Sequence, residues 1–169
     1  LITSTYSLFG ERRSEFQVYR REEIGASVVL RRETARNIPV SVGYRLSYGN
    51  TIASNATFCA FFNACTPADA DRLREKRVLG VVSAGISWPR ANNPLDPTRG
   101  HIYAFDVNHS SPFTGSEPLQ QFTRVSGDLA WYRTIGRSVV LATHLRGGAV
   151  FSPSIALGNA SGSYIPPEQ

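Results

Sequence analysis

Asn92-Asn93-Pro94-Leu95-Asp96-Pro97-Thr98-Arg99-Gly100 is a dense turn signal between two segments that each read as one strand. Pro94 and Pro97 fix φ and withhold backbone donors, so neither a strand nor a helix runs through them. Asn92, Asn93 and Asp96 offer side-chain oxygens to nearby amides, and Gly100 releases the chain into a new segment. That segment alternates: Tyr103, Phe105 and Val107 against Ala104, Asp106 and Asn108. The aromatics keep to one side. A proline-bearing turn that opens a one-sided strand sets the class of the protein.

On both sides of the turn the dominant hydrophobic period is two. Ile24, Ala26, Val28 and Leu30 alternate with Gly25, Ser27, Val29 and Arg31, and Val40, Val42, Tyr44, Leu46 and Tyr48 with Ser41, Gly43, Arg45, Ser47 and Gly49. Val125, Leu129 and Trp131 oppose Arg124, Ser126, Asp128 and Tyr132. Val139, Leu141, Leu145 and Phe151 oppose Ala142, His144, Arg146 and Gly148. The stretch from Val78 to Trp88 is weaker, and Ile2 to Leu8 reads as a partial strand. The total is about seven strands. Connections at 35–39, 89–99 and 134–137 are short or turn-rich; those at 9–21, 50–77, 111–121 and beyond Phe151 are longer and more polar. Within the longest, the run from Thr66 to Lys76 suits a helical turn or two, with Thr66 as N-cap.

Short connections at one end and long ones at the other are the asymmetry of an outer-membrane barrel. The strands, at about ten to thirteen residues, exceed those of ordinary soluble sheets and match what a tilted strand needs to cross a bilayer. The apolar face carries Tyr48, Trp88, Tyr103, Trp131 and Phe151 near strand ends, where interfacial girdles sit. The expected fold is all-β: an antiparallel up-and-down transmembrane β-barrel, here a partial barrel. Its lipid-facing residues are Tyr44, Leu46, Tyr103, Phe105, Val125, Leu129, Trp131, Leu141 and Leu145. Its lumen-facing polar residues are Arg45, Asp106, Arg124, Asp128, His144 and Arg146, with Asp106 or Asp128 expected to pair with Arg124 or Arg146. A soluble β-sandwich binding module is the competing architecture; it would bury the apolar face against a second sheet.

The 169 residues carry a net charge of +5, and Lys76 is the only lysine beside seventeen arginines. The arginines are dispersed rather than clustered, which excludes a nucleic-acid face and suits paired guanidiniums in a water-filled interior. Cys59 and Cys65 stand close together in a polar loop and are expected to form a local disulfide, which implies an oxidising compartment. Their spacing fits no zinc pattern, and His101, His109 and His144 do not complete one. No nucleophile elbow, zinc-protease helix or phosphate loop occurs, so neither a catalytic site nor a cofactor is expected. The start lacks Met, which reads as an excerpt of a longer chain.

The turn and its neighbours resemble the bacterial surface antigen superfamily, the BamA- and TamA-like outer-membrane assembly factors. Asn93, Pro94, Leu95, Asp96, Pro97, Thr98 and Gly100 match that family's strand-opening turn. Phe122-Thr123-Arg124, Ala130-Trp131-Tyr132-Arg133, Gly136-Arg137 and Leu145-Arg146-Gly147-Gly148 come after it in the family's order, and Tyr164 to Gln169 is similar to the run-in to its sixth extracellular loop. The resemblance implies that residues 1–169 form part of one outer-membrane β-barrel domain, its middle strands up to the start of that loop. The family's loop signature and its seam strands lie outside the chain. The 92–100 turn is then periplasmic. The implied function is insertion or translocation of β-barrel proteins at the bacterial outer membrane, with lipid, unfolded client proteins and periplasmic accessory proteins as partners. Related barrels leave two other readings open, the membrane anchor of a patatin-like hydrolase and a two-partner secretion transporter.

Overall fold

The computed structural model describes residues 1–15, 19–34, 37–53, 59, 66–67, 71, 74–93, 95–136, 139–152, 154–157 and 160–163. Seven strands succeed one another: β1 (Ile2–Glu15), β2 (Tyr19–Glu33), β3 (Pro39–Ala53), β4 (Arg77–Ala91), β5 (Gly100–Ser110), β6 (Phe122–Ile135) and β7 (Val139–Phe151). They form one sheet in chain order, each antiparallel to the next, with β1 and β7 as its two edges. Two four-residue strands, β8 (Ser154–Leu157) and β9 (Ala160–Ser163), pair in a separate hairpin.

β1, β2 and β3 are level at their ends, and from β3 to β6 the strands step along the sheet in one direction. Val40, just above the β2–β3 turn, faces Ile86, yet β4 continues past Ile86 to Ala91. Gly100, at the start of β5, faces Tyr132, and β6 continues to Ile135. At the other end β5 stops at Ser110 opposite Val81, leaving residues 77–80 of β4 rising above it. Stagger of this kind is how strands tilt in a barrel wall. Side chains of β1 and of β6 line one hollow of about 330 Å³, Glu11 and Arg124 among them, so the sheet curls toward its polar face. The architecture is a partial, up-and-down antiparallel barrel.

The sheet has almost no conventional core. Among the described residues only Leu79, Phe122 and Ala130 are buried apolar side chains. The outer, convex face stays bare: Leu8 is 90%, Leu145 64% and Phe151 63% exposed. A sandwich covers such a face, and contiguous apolar surface of this kind marks contact with something that is not water.

Three strands differ from their sequence reading. β1 and β2 run through the stretch expected to be a long connection, so that β1 extends to Glu15 and β2 begins at Tyr19. Here the strands are charged on both faces, and the ladder is reinforced by the Arg12–Glu22 ion pair at 3.2 Å. With no apolar side, the period-two signal vanishes although the pairing persists. β4 also runs through Pro89 to Ala91. Pro89 pairs with Ile102 next to the strand's end, where a missing donor costs the ladder least.

Candidate functional site

Register assigns every side chain to a face. Tyr44, Leu46, Tyr103, Phe105, Val125, Leu129, Trp131, Leu141 and Leu145 share the convex face, aligned through pairs such as Tyr103↔Leu129 and Leu129↔Leu145. Arg45, Asp106, Arg124, Asp128, His144 and Arg146 share the concave one. On the convex side Trp88 meets Phe105 edge-on at 6.0 Å, and His101 stacks on Tyr103 at 4.5 Å.

The concave face holds two charge clusters. In the first, Glu23 is buried and accepts from both Arg21 and Arg45. Arg45 also lies over the Phe9 ring, 4.1 Å from its centroid. Gly25 and Gly49 make the room: a Cβ at Gly25 would meet Phe9 Cζ at 2.6 Å, and one at Gly49 would meet Glu23 Cβ at 2.8 Å. Sequence reading missed this cluster, since Glu23 sits beside the stretch taken for a loop. Glu23→Ala would leave two guanidiniums side by side without their shared carboxylate. The expected loss is about 2 kcal/mol, measured by denaturant unfolding of the whole protein.

In the second cluster Asp128 bridges His144 Nε2 at 2.7 Å and Arg146 Nε at 3.0 Å. Asp106 and Arg124, expected in the same network, make no ion pair among the described residues. Asp106 faces Ser126, and Arg124 faces Asn108 and Val150, so the two are diagonal rather than directly opposite. No group of three His, Cys, Asp or Glu among the described residues is placed to hold a metal ion. These charges sit on adjacent strands and brace them, as cross-strand pairs do.

At the turn, one side chain does most of the bonding. Asn92 Oδ1 accepts from the Thr98 and Arg99 amides at 3.1 and 3.0 Å, and its Nδ2 donates to Thr98 Oγ1 at 2.8 Å. Asn93 Oδ1 accepts from the Leu95 amide at 3.0 Å. Asp96, expected to serve likewise, makes no such bond among the described residues, and Pro94 lies outside them. Gly100 has φ +110°, and a Cβ there would meet Arg90 O at 2.1 Å, so the family-like glycine is sterically required. The Thr134 hydroxyl donates to Thr98 O at 3.0 Å and ties the turn to β6. Asn92→Ala should cost about 1–2 kcal/mol, read as a lower unfolding midpoint. Asn92→Asp, which keeps the two accepted bonds, should recover most of it.

The β5–β6 connection, 111–121, contains two 3₁₀ turns, Pro112–Thr114 and Pro118–Gln120, and folds back onto the part of β4 that the stagger leaves uncovered. Ser116 Oγ lies 2.8 Å from both N and O of Gly80 and 2.6 Å from Ser110 Oγ. Thr114 Oγ1 donates to Gly80 O at 2.6 Å, and Tyr44 Oη donates to Thr114 O at 2.9 Å. The Glu117 amide donates to Val78 O at 3.2 Å, and the Glu117 carboxylate pairs with Arg77 at 3.1 Å. The loop thus supplies the partners that β5 would have given, as buried backbone groups require. A lone glycine in a strand is the available sequence signal for such close approach. Of the cysteines, Cys59 is disulfide-bonded, and Cys65 lies outside the described residues.

The family model of the Omp85 superfamily domain matches residues 2–162, which takes in all seven strands. Comparison with the curated proteins found no match. A match of this extent, on a curled up-and-down sheet with an apolar convex face, means that the chain belongs to the Omp85 superfamily, a family of outer-membrane β-barrel proteins.

Proposed function

We propose that residues 1–169 are middle wall strands of a larger barrel in a bacterial outer-membrane assembly factor, which inserts or translocates β-barrel proteins without hydrolysing anything. The family match across all seven strands carries this reading. Physics supports the larger barrel: β1 and β7 are edges, and unpaired edge groups in lipid are too costly for an open sheet to span alone. The convex residues Tyr44, Phe105, Leu129 and Leu145 would then face lipid. The concave Arg45, Asp106, Arg124, Asp128, His144 and Arg146 would line a wet lumen. Partners are outer-membrane lipid, unfolded outer-membrane clients and periplasmic accessory proteins. The wall residues do no chemistry; the Glu23 and Asp128 clusters keep neighbouring strands in register while clients are handled elsewhere on the barrel.

The test is reconstitution of the whole protein in lipid vesicles, followed by addition of an unfolded outer-membrane β-barrel client. Client folding, read from heat-modifiable gel migration, should accelerate several-fold over empty vesicles. An inserted barrel that leaves client folding unchanged would contradict the assembly role, and ester hydrolysis by the same preparation would favour the hydrolase anchor.

A further inference from the structure

In the 111–121 loop the Thr114 carbonyl and Gly115 sit over the convex face, while Ser116 and Glu117 bond Ser110 and Arg77, whose side chains share the concave one. Gly80 shares that face with its register partner Leu46, and the place of its missing side chain is taken by Thr114 O, which a Cβ would meet at 1.8 Å. Tyr44, also convex, donates to the same carbonyl. A Cβ at Gly115 would lie 3.6 Å from Tyr44 Oη and 3.9 Å from Leu46 Cδ1. The turn Pro112–Thr114 therefore rests on the outer rim, at the end of the sheet opposite the 92–100 turn. Phe113, in the middle of that turn, is 102% exposed.

An isolated exposed apolar side chain needs no explanation. Phe113 differs because of where it is held. The loop is hydrogen-bonded to β4, to Tyr44 and to Ser110, which fixes the turn on the rim. The turn that carries Phe113 lies beside Tyr44 and Leu46, exposed residues of the apolar face, beyond the end of β5. We infer that Phe113 is a lipid anchor, its ring inserted at the headgroup level of the leaflet opposite the 92–100 turn. The inference rests on the membrane-barrel reading above. The ligand is the lipid surface itself, and the aromatic girdle on this side is completed by a loop rather than a strand. Burying a ring at that level is favourable through its apolar area, and the docked loop loses little freedom on insertion.

The experiment uses the whole protein in phosphatidylcholine vesicles brominated either near the glycerol end or near the methyl end of the acyl chains. Tryptophan emission of Phe113→Trp and of Leu145→Trp is measured as the difference from the parent protein. Trp at 113 should lose about half its emission in the shallow-brominated lipid and little in the deep one. Trp at 145, on the convex face of β7, should be quenched in at least one of the two. Unchanged emission at 113 with quenching at 145 overturns the anchor and leaves the barrel standing. No quenching at either position overturns both.

Discussion

Leu129→Arg should largely prevent insertion of the whole protein into bilayers, whereas Ser126→Arg should insert nearly as well as the parent. Leu129 lies midway along β6 on the convex face, between Tyr103 and Leu145. Arginine at the midplane of a lipid-facing strand costs about 2–4 kcal/mol. Set against the modest net stability of a folded domain, about 5–15 kcal/mol, that cost removes a large share of it. Ser126 is on the concave face opposite Asp106. A guanidinium there meets water and a carboxylate rather than acyl chains. The measurement is the folded fraction on heat-modifiable gels and the guanidinium midpoint in vesicles. Equal losses for the two variants would mean that the faces differ in packing but not in solvent.

Gly80→Ala should release the 111–121 loop while the sheet persists. One added methyl carbon would sit 1.8 Å from Thr114 O, far inside contact distance. Backbone must move, and with it go the bonds from Thr114, Ser116 and Tyr44. At about 1 kcal/mol for each of the four bonds, loop docking weakens by about 4 kcal/mol. Limited proteolysis should then cut within 111–121 at least tenfold faster, a conservative conversion of that energy. Gly115→Ala provides the comparison. It strains a residue at φ +86° but makes no clash within 3.4 Å, so it should cost only about 1 kcal/mol. If the two variants are cleaved alike, the loop is held by its own turns and not by β4.

Much of the wall is legible in sequence where one side of a strand is apolar. From Val40 to Tyr48 and from Tyr103 to Val107 the alternation assigns faces, and register then aligns those faces across the sheet. Legibility ends where the strands pass beyond the apolar band. Gly10 to Ser14 and Arg20 to Glu23 carry charge on both sides of their strands, so the buried Glu23 with its two arginines has no periodic signature. The turn declares itself through its prolines and asparagines, but not that Asn92 rather than Asp96 supplies the acceptors. The docking of 111–121 depends on the stagger that exposes residues 77–80, and stagger is a property of pairing between strands. No single stretch encodes it.

The most direct measurement places nitroxide labels singly at residues 103 to 108 of the whole protein in bilayers and compares collisions with lipid-dissolved oxygen and an aqueous nickel chelate. Register predicts strict alternation: 103, 105 and 107 accessible to oxygen, 104, 106 and 108 to the chelate. Uniform chelate accessibility at all six positions, or the opposite phase, would contradict a barrel wall with its convex face in lipid.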